Sequence, residues 1–277
     1  MTMKTGSRSI WIYGPVAIIV FMTVFPFLWM TVSSFKLQAE LYSLPPTWLP
    51  QMPTWQNFSK VLFESNIPRY FINSCIVSIG STALALVFAI PAAYGFARFD
   101  FRGKSLWQVF VLVSHLLPTA ALIVPLYVLL GAIDQLNTLV GLILVYLVLT
   151  LPLSIWMLTG YFKSIPVELE EAAIIDGASR FGVLMRIMLP LSLPGIVVIV
   201  LYAFVATWNE FIFALSFATD VRVKTLPIGL AEFSTEYDTD WGAIMAASVI
   251  MTLPIAALFF GLQRLFVGGL MSGAMKG

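Results

Sequence analysis

The sequence predicts an all-α membrane protein of six transmembrane helices, with a helical cytoplasmic segment between spans four and five. Three observations predict it. The 277 residues are 60% hydrophobic and only 10% charged, against about 25% charged in a soluble domain. The apolar residues fall into six long charge-free runs. The basic residues between those runs are unevenly shared between the two sides.

The six runs without Asp, Glu, Lys or Arg are Ser9–Phe35, Tyr70–Ala97, Ser105–Ile133, Gln135–Phe162, Ile187–Asn209 and Trp241–Gln263. Each exceeds the roughly 20 residues that cross ~30 Å of hydrocarbon at ~1.5 Å per residue. They are continuously apolar, whereas a transmembrane barrel needs short alternating segments. The predicted spans are 11–33, 70–97, 107–130, 137–160, 192–217 and 242–263, within one transmembrane domain covering 1–277. Lys4 and Arg8 ahead of the first run resemble a signal peptide, but the run is long for one and no clean small-residue cleavage site follows, so it reads as a retained span. With the N-terminus inside, ten basic residues fall on inner segments and five (Lys36, Lys60, Arg69, Arg222, Lys224) on outer ones. The positive-inside rule therefore places both termini in the cytoplasm. Asp220, Glu232, Glu236, Asp238 and Asp240 cluster in one outer loop.

Along the chain, the outer segment Lys36–Arg69 carries Pro45, Pro46, Pro50 and Pro53, which forbid a regular helix. A packed loop with a short helix over Trp55–Phe63 is expected there. Pro118 and Pro125 should kink span three or leave carbonyls free. A short loop, Gly131–Asn137, makes spans three and four antiparallel neighbours. Pro194 suits the first turn of span five. The glycine-rich tail Gly268–Gly277 is too polar and flexible to be a further span. Cys75, the only cysteine, excludes an internal disulfide and packs in span two. His115 lies in span three with no thiol or carboxylate nearby, short of a standard metal-ligand set. There is no phosphate-binding loop with Lys and Ser/Thr, and no nucleic-acid partner is expected.

Lys163–Pro190 differs from every other inner joint in its length and charge. Ser164 can cap a helix and Pro166 suits its first turn. Glu168, Glu170 and Glu171 sit where a helix dipole favours carboxylates. Leu169, Ala172 and Ala173 make a narrow apolar stripe. Asp176-Gly177 should end this helix, and a second short helix should run to Leu189 and stop at Pro190. The physics of these residues leaves two readings open: an amphipathic connector resting on lipid, or a surface for another protein. The acidic face weighs slightly against an anionic leaflet. In span five, Glu210 is a charge in an apolar run. It has three readings: a structural hydrogen bond near Trp208 and Asn209, part of a translocation path, or loop surface. Tyr202, Trp208, Asn209 and Glu210 are the candidate path residues, since sugar sites combine aromatic faces with amides. Ordinary packing is the alternative for each.

Glu171-Ala172-Ala173, Gly177, Ile187 and Leu189-Pro190 resemble the cytoplasmic signature loop of ABC importer permeases. Ile165-Pro166, Leu169-Glu170, Ile175-Asp176-Gly177-Ala178, Trp208–Phe211, Thr225-Leu226-Pro227, Trp241-Gly242, Pro254, Gln263 and Gly269–Gly277 extend it to the carbohydrate-uptake, maltose-type branch. The resemblance implies that the loop is a coupling helix docking into a cytoplasmic ATPase. Glu171, Ala172, Ala173, Asp176, Gly177, Leu189 and Pro190 would be the coupling residues. It further implies a second permease subunit in a heterodimer, two ATPase subunits that bind the ATP, an extracytoplasmic substrate-binding protein, and a multi-pass place in the bacterial inner membrane. No catalytic residue, metal or cofactor is expected in this chain. The alternative is an ion-coupled secondary transporter, which predicts ionisable groups at mid-membrane and internal repeats; Glu210 is the one charged candidate and lies off-centre.

Overall fold

The computed structural model describes residues 5–235 and 238–274, with side-chain surroundings for 13–235 and 238–265. Lys4, Glu236 and Lys276, used above in reading charge, lie outside the described residues. In chain order the helices are α1 Thr5–Ser34, α2 Gln38–Leu41, α3 Gln56–Phe63, α4 Ile67–Arg98, α5 Lys104–His115, α6 Thr119–Ala132, α7 Leu139–Ser164, α8 Glu168–Ile175, α9 Arg180–Val183, a π turn at Leu184–Met188, α10 Leu189–Leu191, α11 Leu193–Trp208, α12 Ile212–Phe217, α13 Leu226–Ala231 and α14 Trp241–Ala274. Among the described residues the only β feature is a single bridge between Ser234 and Thr239.

Four helices are each long and apolar enough to cross a bilayer: α1 from Tyr13, α4, α7, and α14 to Leu265. Two further candidates are bent pairs, α5 with α6 at 100° and Arg180–Leu191 with α11 at 77°. The chain is thus an all-helical membrane protein with four to six candidate spans. Pro15, Pro26, Pro91, Pro152 and Pro254 lie inside long helices, as membrane helices tolerate when neighbours re-satisfy the freed carbonyls.

Span three departs from the expected kinked helix over 107–130. The chain breaks at Leu116–Pro118, while Pro125 stays inside α6. Pro118 cannot donate to the ladder, and its ring opposes the carbonyl of Ser114. Span five is also discontinuous within 192–217. It stops at Trp208 and resumes at Ile212. Asn209 turns its amide back onto the Val205 carbonyl at 2.9 Å, competing with the helix ladder. At the C-terminus α14 continues through Gly268 and Gly269 to Ala274, so the glycine-rich stretch prolongs the last helix where a flexible tail was expected.

The structure divides into two units. One joins the chain up to Pro68 with Gly229–Leu253. In it α1 leaves most of its apolar side chains exposed, as suits a helix surrounded by hydrocarbon. Its polar end is well tied. Asn57 of α3 donates to the carbonyls of Ser34 and Lys36 at 2.9 and 2.8 Å. Gln38 donates to Thr239 O and accepts from Gly242 N. Lys36 is buried, donates to Thr47 O and lies 4.6 Å over the Trp29 ring. Lys60 pairs with Asp240 at 2.5 Å, and that partner raises the lysine pKa.

The other unit spans Arg69–Ile228 with the chain from Pro254. One apolar cluster gathers Val77, Leu130, Leu142, Tyr146, Phe213 and Phe217. The α6–α7 loop closes it: Asn137 Oδ1 accepts from the amides of Thr219 and Asp220 at 2.7 and 3.1 Å. A second cluster holds Tyr94, Leu158, Phe162, Leu184, Met188 and Ile199. Lys163–Pro190 folds against this second cluster.

Candidate functional site

The Lys163–Pro190 segment forms two short helices around a glycine turn, as its residue pattern predicts. Three local expectations need correction. Pro166 lies ahead of the α8 cap and not in its first turn. Ser164 ends α7 and bonds back to Tyr161 O at 2.7 Å, and Val167 occupies the N-cap of α8 without a side-chain cap. Pro190 does not stop the second helix. It sits inside α10, two residues beyond the π turn Leu184–Met188. The wider turn makes room where the proline ring would meet the carbonyl of Arg186. Gly177 turns the chain with φ +89°, a left-handed conformation that carries little cost only without a Cβ. Ser179 then caps α9, accepting from Gly182 N at 3.1 Å.

The loop residues named from sequence are largely brought together. Glu171 and Ala172 on α8, and Asp176 and Gly177 in the turn that follows it, are exposed. Beside them Ile175 is 85% exposed and Phe181 72%. Ala173 and Leu189 are half-buried and pack on the second apolar cluster. Pro190 is exposed but lies beyond the π turn, apart in sequence from the Glu171–Gly177 turn.

Of the apolar stripe Leu169, Ala172 and Ala173, only Ala173 packs on the cluster. Leu169 and Ala172 are exposed, and the one buried residue of α8 is Glu170. Its carboxylate pairs with Arg98 Nε and accepts from the Tyr94 hydroxyl at 3.0 Å. Arg98 Nη2 also donates to Ile165 O at 2.8 Å. One guanidinium at the end of α4 therefore holds the exit of α7 and the start of α8. Sequence reasoning placed Glu170 among the dipole-facing carboxylates. The available signal was the aromatic-to-arginine run Tyr94–Arg98 at a helix end, complementary to a carboxylate in the following inner loop.

The candidate path residues differ in their surroundings. Trp208 is fully buried, stacked on Phe204 at 5.5 Å and edge-on to Phe71 at 5.6 Å. Asn209 is exposed and bonds within its own helix; Tyr202 is half-buried. Glu210 is 8% exposed. Its carboxylate accepts from Phe213 N at 2.8 Å and Ala214 N at 3.0 Å, capping α12 where helix amides have no internal partner. The first of the three sequence readings, a structural hydrogen bond, is the one this geometry favours, with α12 amides as the partners.

No group of three or more potential metal ligands occurs among the described residues. Residues 84–271 match the family described as binding-protein-dependent transport system inner membrane component. The chain belongs to this family. Among the permease's relatives, the sulfoquinovosyl glycerol transport system permease protein SmoH of Agrobacterium fabrum is 37% identical over 254 residues, 92% of this chain and 89% of that protein. The trehalose/maltose transport system permease protein MalG of Thermococcus litoralis is 38% identical over 257 residues, 92% of each. A crystal structure of a bacterial ABC transporter that imports the acidic polysaccharide alginate superposes with a TM-score of 0.80 at 19% identity, covering 95% of this chain and 99% of that one. The permease therefore has the fold of a membrane subunit of an ABC importer and is a multi-pass inner membrane protein.

Proposed function

We propose that this permease is one of two membrane subunits of an ATP-driven carbohydrate importer in a bacterial cytoplasmic membrane. Its 277 residues make one permease domain with six spans, two of them broken, and both termini in the cytoplasm. The family's dependence on a binding protein supports delivery of substrate at the outer face, and the substrates named for SmoH and MalG support a carbohydrate. An ion-coupled mechanism is not favoured by that membership.

Lys163–Pro190 is the segment that docks to a cytoplasmic ATPase, which binds and hydrolyses the ATP. The observation that carries this is the α8–α9 turn. It presents Ile175 and Phe181 to the outside while Glu170 secures its other face. Exposed large apolar groups beside acidic ones, on a rigidly held turn, suit a protein groove better than an anionic leaflet. Glu171, Ala172, Ala173, Asp176 and Gly177 shape that turn, and Leu189 and Pro190 pass its displacement into α11. Trp208, Asn209 and Glu210 lie at the break in span five, and with Tyr202 in the preceding helix they remain the candidate substrate-path residues.

The test is co-purification with the sister permease, ATPase and binding protein. Carbohydrate-stimulated ATP hydrolysis in proteoliposomes should fall at least roughly tenfold in Glu171→Lys and Gly177→Val, the loss of about 1.4 kcal/mol of docking energy. Uptake by the isolated chain driven by an ion gradient alone would overturn the proposal.

A further inference from the structure

We infer that Arg98, Glu170 and Tyr94 form a positioning tie that makes α8 and the cytoplasmic end of α4 move as one body during transport. This rests on reading Lys163–Pro190 as the ATPase-docking segment.

Little else holds α8. It has eight residues, too few to be stable alone. Seven of them are exposed or half-buried, and only Glu170 is buried. Motion imposed on the exposed turn at Ile175–Gly177 must leave α8 through what it touches. Ala173 and Ala178 supply small apolar contacts, which resist separation but slide easily. The directional contacts are those of Glu170. One carboxylate oxygen pairs with Arg98 Nε and the other accepts from Tyr94 at 3.0 Å, and Tyr94 and Arg98 sit one helical turn apart on the same face of α4. Two contacts to one rigid helix fix orientation as well as distance.

Arg98 extends the tie. Its Nη2 reaches Ile165 O at 2.8 Å and lies 3.9 Å from Met188 Sδ. The guanidinium thus bridges α4, the α7 exit, α8 and the π turn. With 9% and 2% of their side chains exposed, Arg98 and Glu170 are shielded from solvent, where charge-assisted hydrogen bonds are strong and directional. A lysine in place of Arg98 would keep the charge and lose the fork that reaches both Glu170 and Ile165. Glu170 acts only through Arg98 and Tyr94, and the tie lies within one structural unit.

The experiment uses the assembled complex in nanodiscs, with Cys75→Ser and spin labels at Val87→Cys on α4 and Glu168→Cys on α8, both exposed positions. The distance between labels is measured nucleotide-free and after trapping with ATP, magnesium and vanadate. The expected result is one unchanged distance in the parent complex. In Glu170→Gln it should change by about 3–5 Å on trapping, up to the scale of one element slipping a turn past another. Arg98→Lys should give a smaller change and provides the measurement if Glu170→Gln fails to assemble. A purely structural role predicts no dependence on nucleotide. Equal distances in both states for the variants would overturn the tie, as would a change in the parent complex itself. Failure of the parent complex to trap nucleotide would instead overturn the docking reading, and the tie with it.

Discussion

Glu210 separates a capping role from a place on the substrate path, and the structure sets the size of the effect. Its two oxygens accept from consecutive amides, Phe213 at 2.8 Å and Ala214 at 3.0 Å, at a site only 8% exposed. Glu210→Gln keeps the shape and one acceptor but turns an NH2 group toward the other amide. A buried amide without a partner costs about 1–3 kcal/mol. For a chain of this size each kcal/mol lowers the melting temperature by roughly 2–4 °C, so Glu210→Gln should lose about 2–12 °C. Glu210→Ala frees both amides and should lose more. The assay is the thermal shift of intrinsic tryptophan fluorescence in the purified complex, beside uptake in proteoliposomes. Capping predicts a graded series, wild type above Gln above Ala, with uptake surviving in Gln below its melting point. A Gln variant melting within about 1 °C of wild type, yet devoid of uptake, would refute the capping argument and return Glu210 to the path.

Two further outcomes follow from local geometry. An added Cβ at Gly195 would lie 2.4–2.7 Å from the Tyr161 ring, whereas one at Gly160 meets nothing within 4 Å. Gly195→Ala should therefore destabilise the α7–α11 contact by about 1–3 kcal/mol, while Gly160→Ala is neutral or stabilising by up to ~1 kcal/mol; melting curves of the two variants check the contrast. Asp220, hydrogen-bonded by the Arg222 side chain and amide, has its pKa lowered to about 2. Because the folded value is depressed, its contribution is present above the ordinary carboxylate range and is lost as pH falls through about 2. Wild type and Asp220→Asn should then differ slightly and constantly from pH 7 to 5, with their melting curves converging below pH 4. The pair is exposed, so the difference is small. A gap that widens on acidification would contradict the assignment.

What the sequence discloses follows the length of chain over which each signal is averaged. α1, α4, α7 and α14 are legible because some twenty or more apolar residues act together, and no single residue can overrule them. The turn at Asp176-Gly177 is legible because one residue without a Cβ suffices to make it. Breaks inside apolar runs follow another rule. Pro118 lies at a helix break while Pro125, Pro152 and Pro254 lie inside helices, so proline alone carries no decision; whether neighbours satisfy the freed carbonyls does, and that is a tertiary fact. The interruption at Asn209–Phe211 has no proline at all. It depends on Asn209 folding back on Val205 and Glu210 reaching forward to α12, two side-chain choices invisible to hydropathy.

Glu170 shows the same limit in the coupling segment. Three glutamates within four residues look equivalent along the chain, and their spacing does not say which of them turns inward. The fold selects Glu170 because Arg98 at the end of α4 is a cation that cannot be left alone in a shielded site. A helix of eight residues has too small an apolar face to set its own rotation, so one buried ion pair decides it. That choice also sets the function of the opposite face: with Glu170 turned in, Glu171 and Ile175 are turned out. The residues offered to a partner are thus selected by an electrostatic demand at the end of α4, more than seventy positions earlier in the chain.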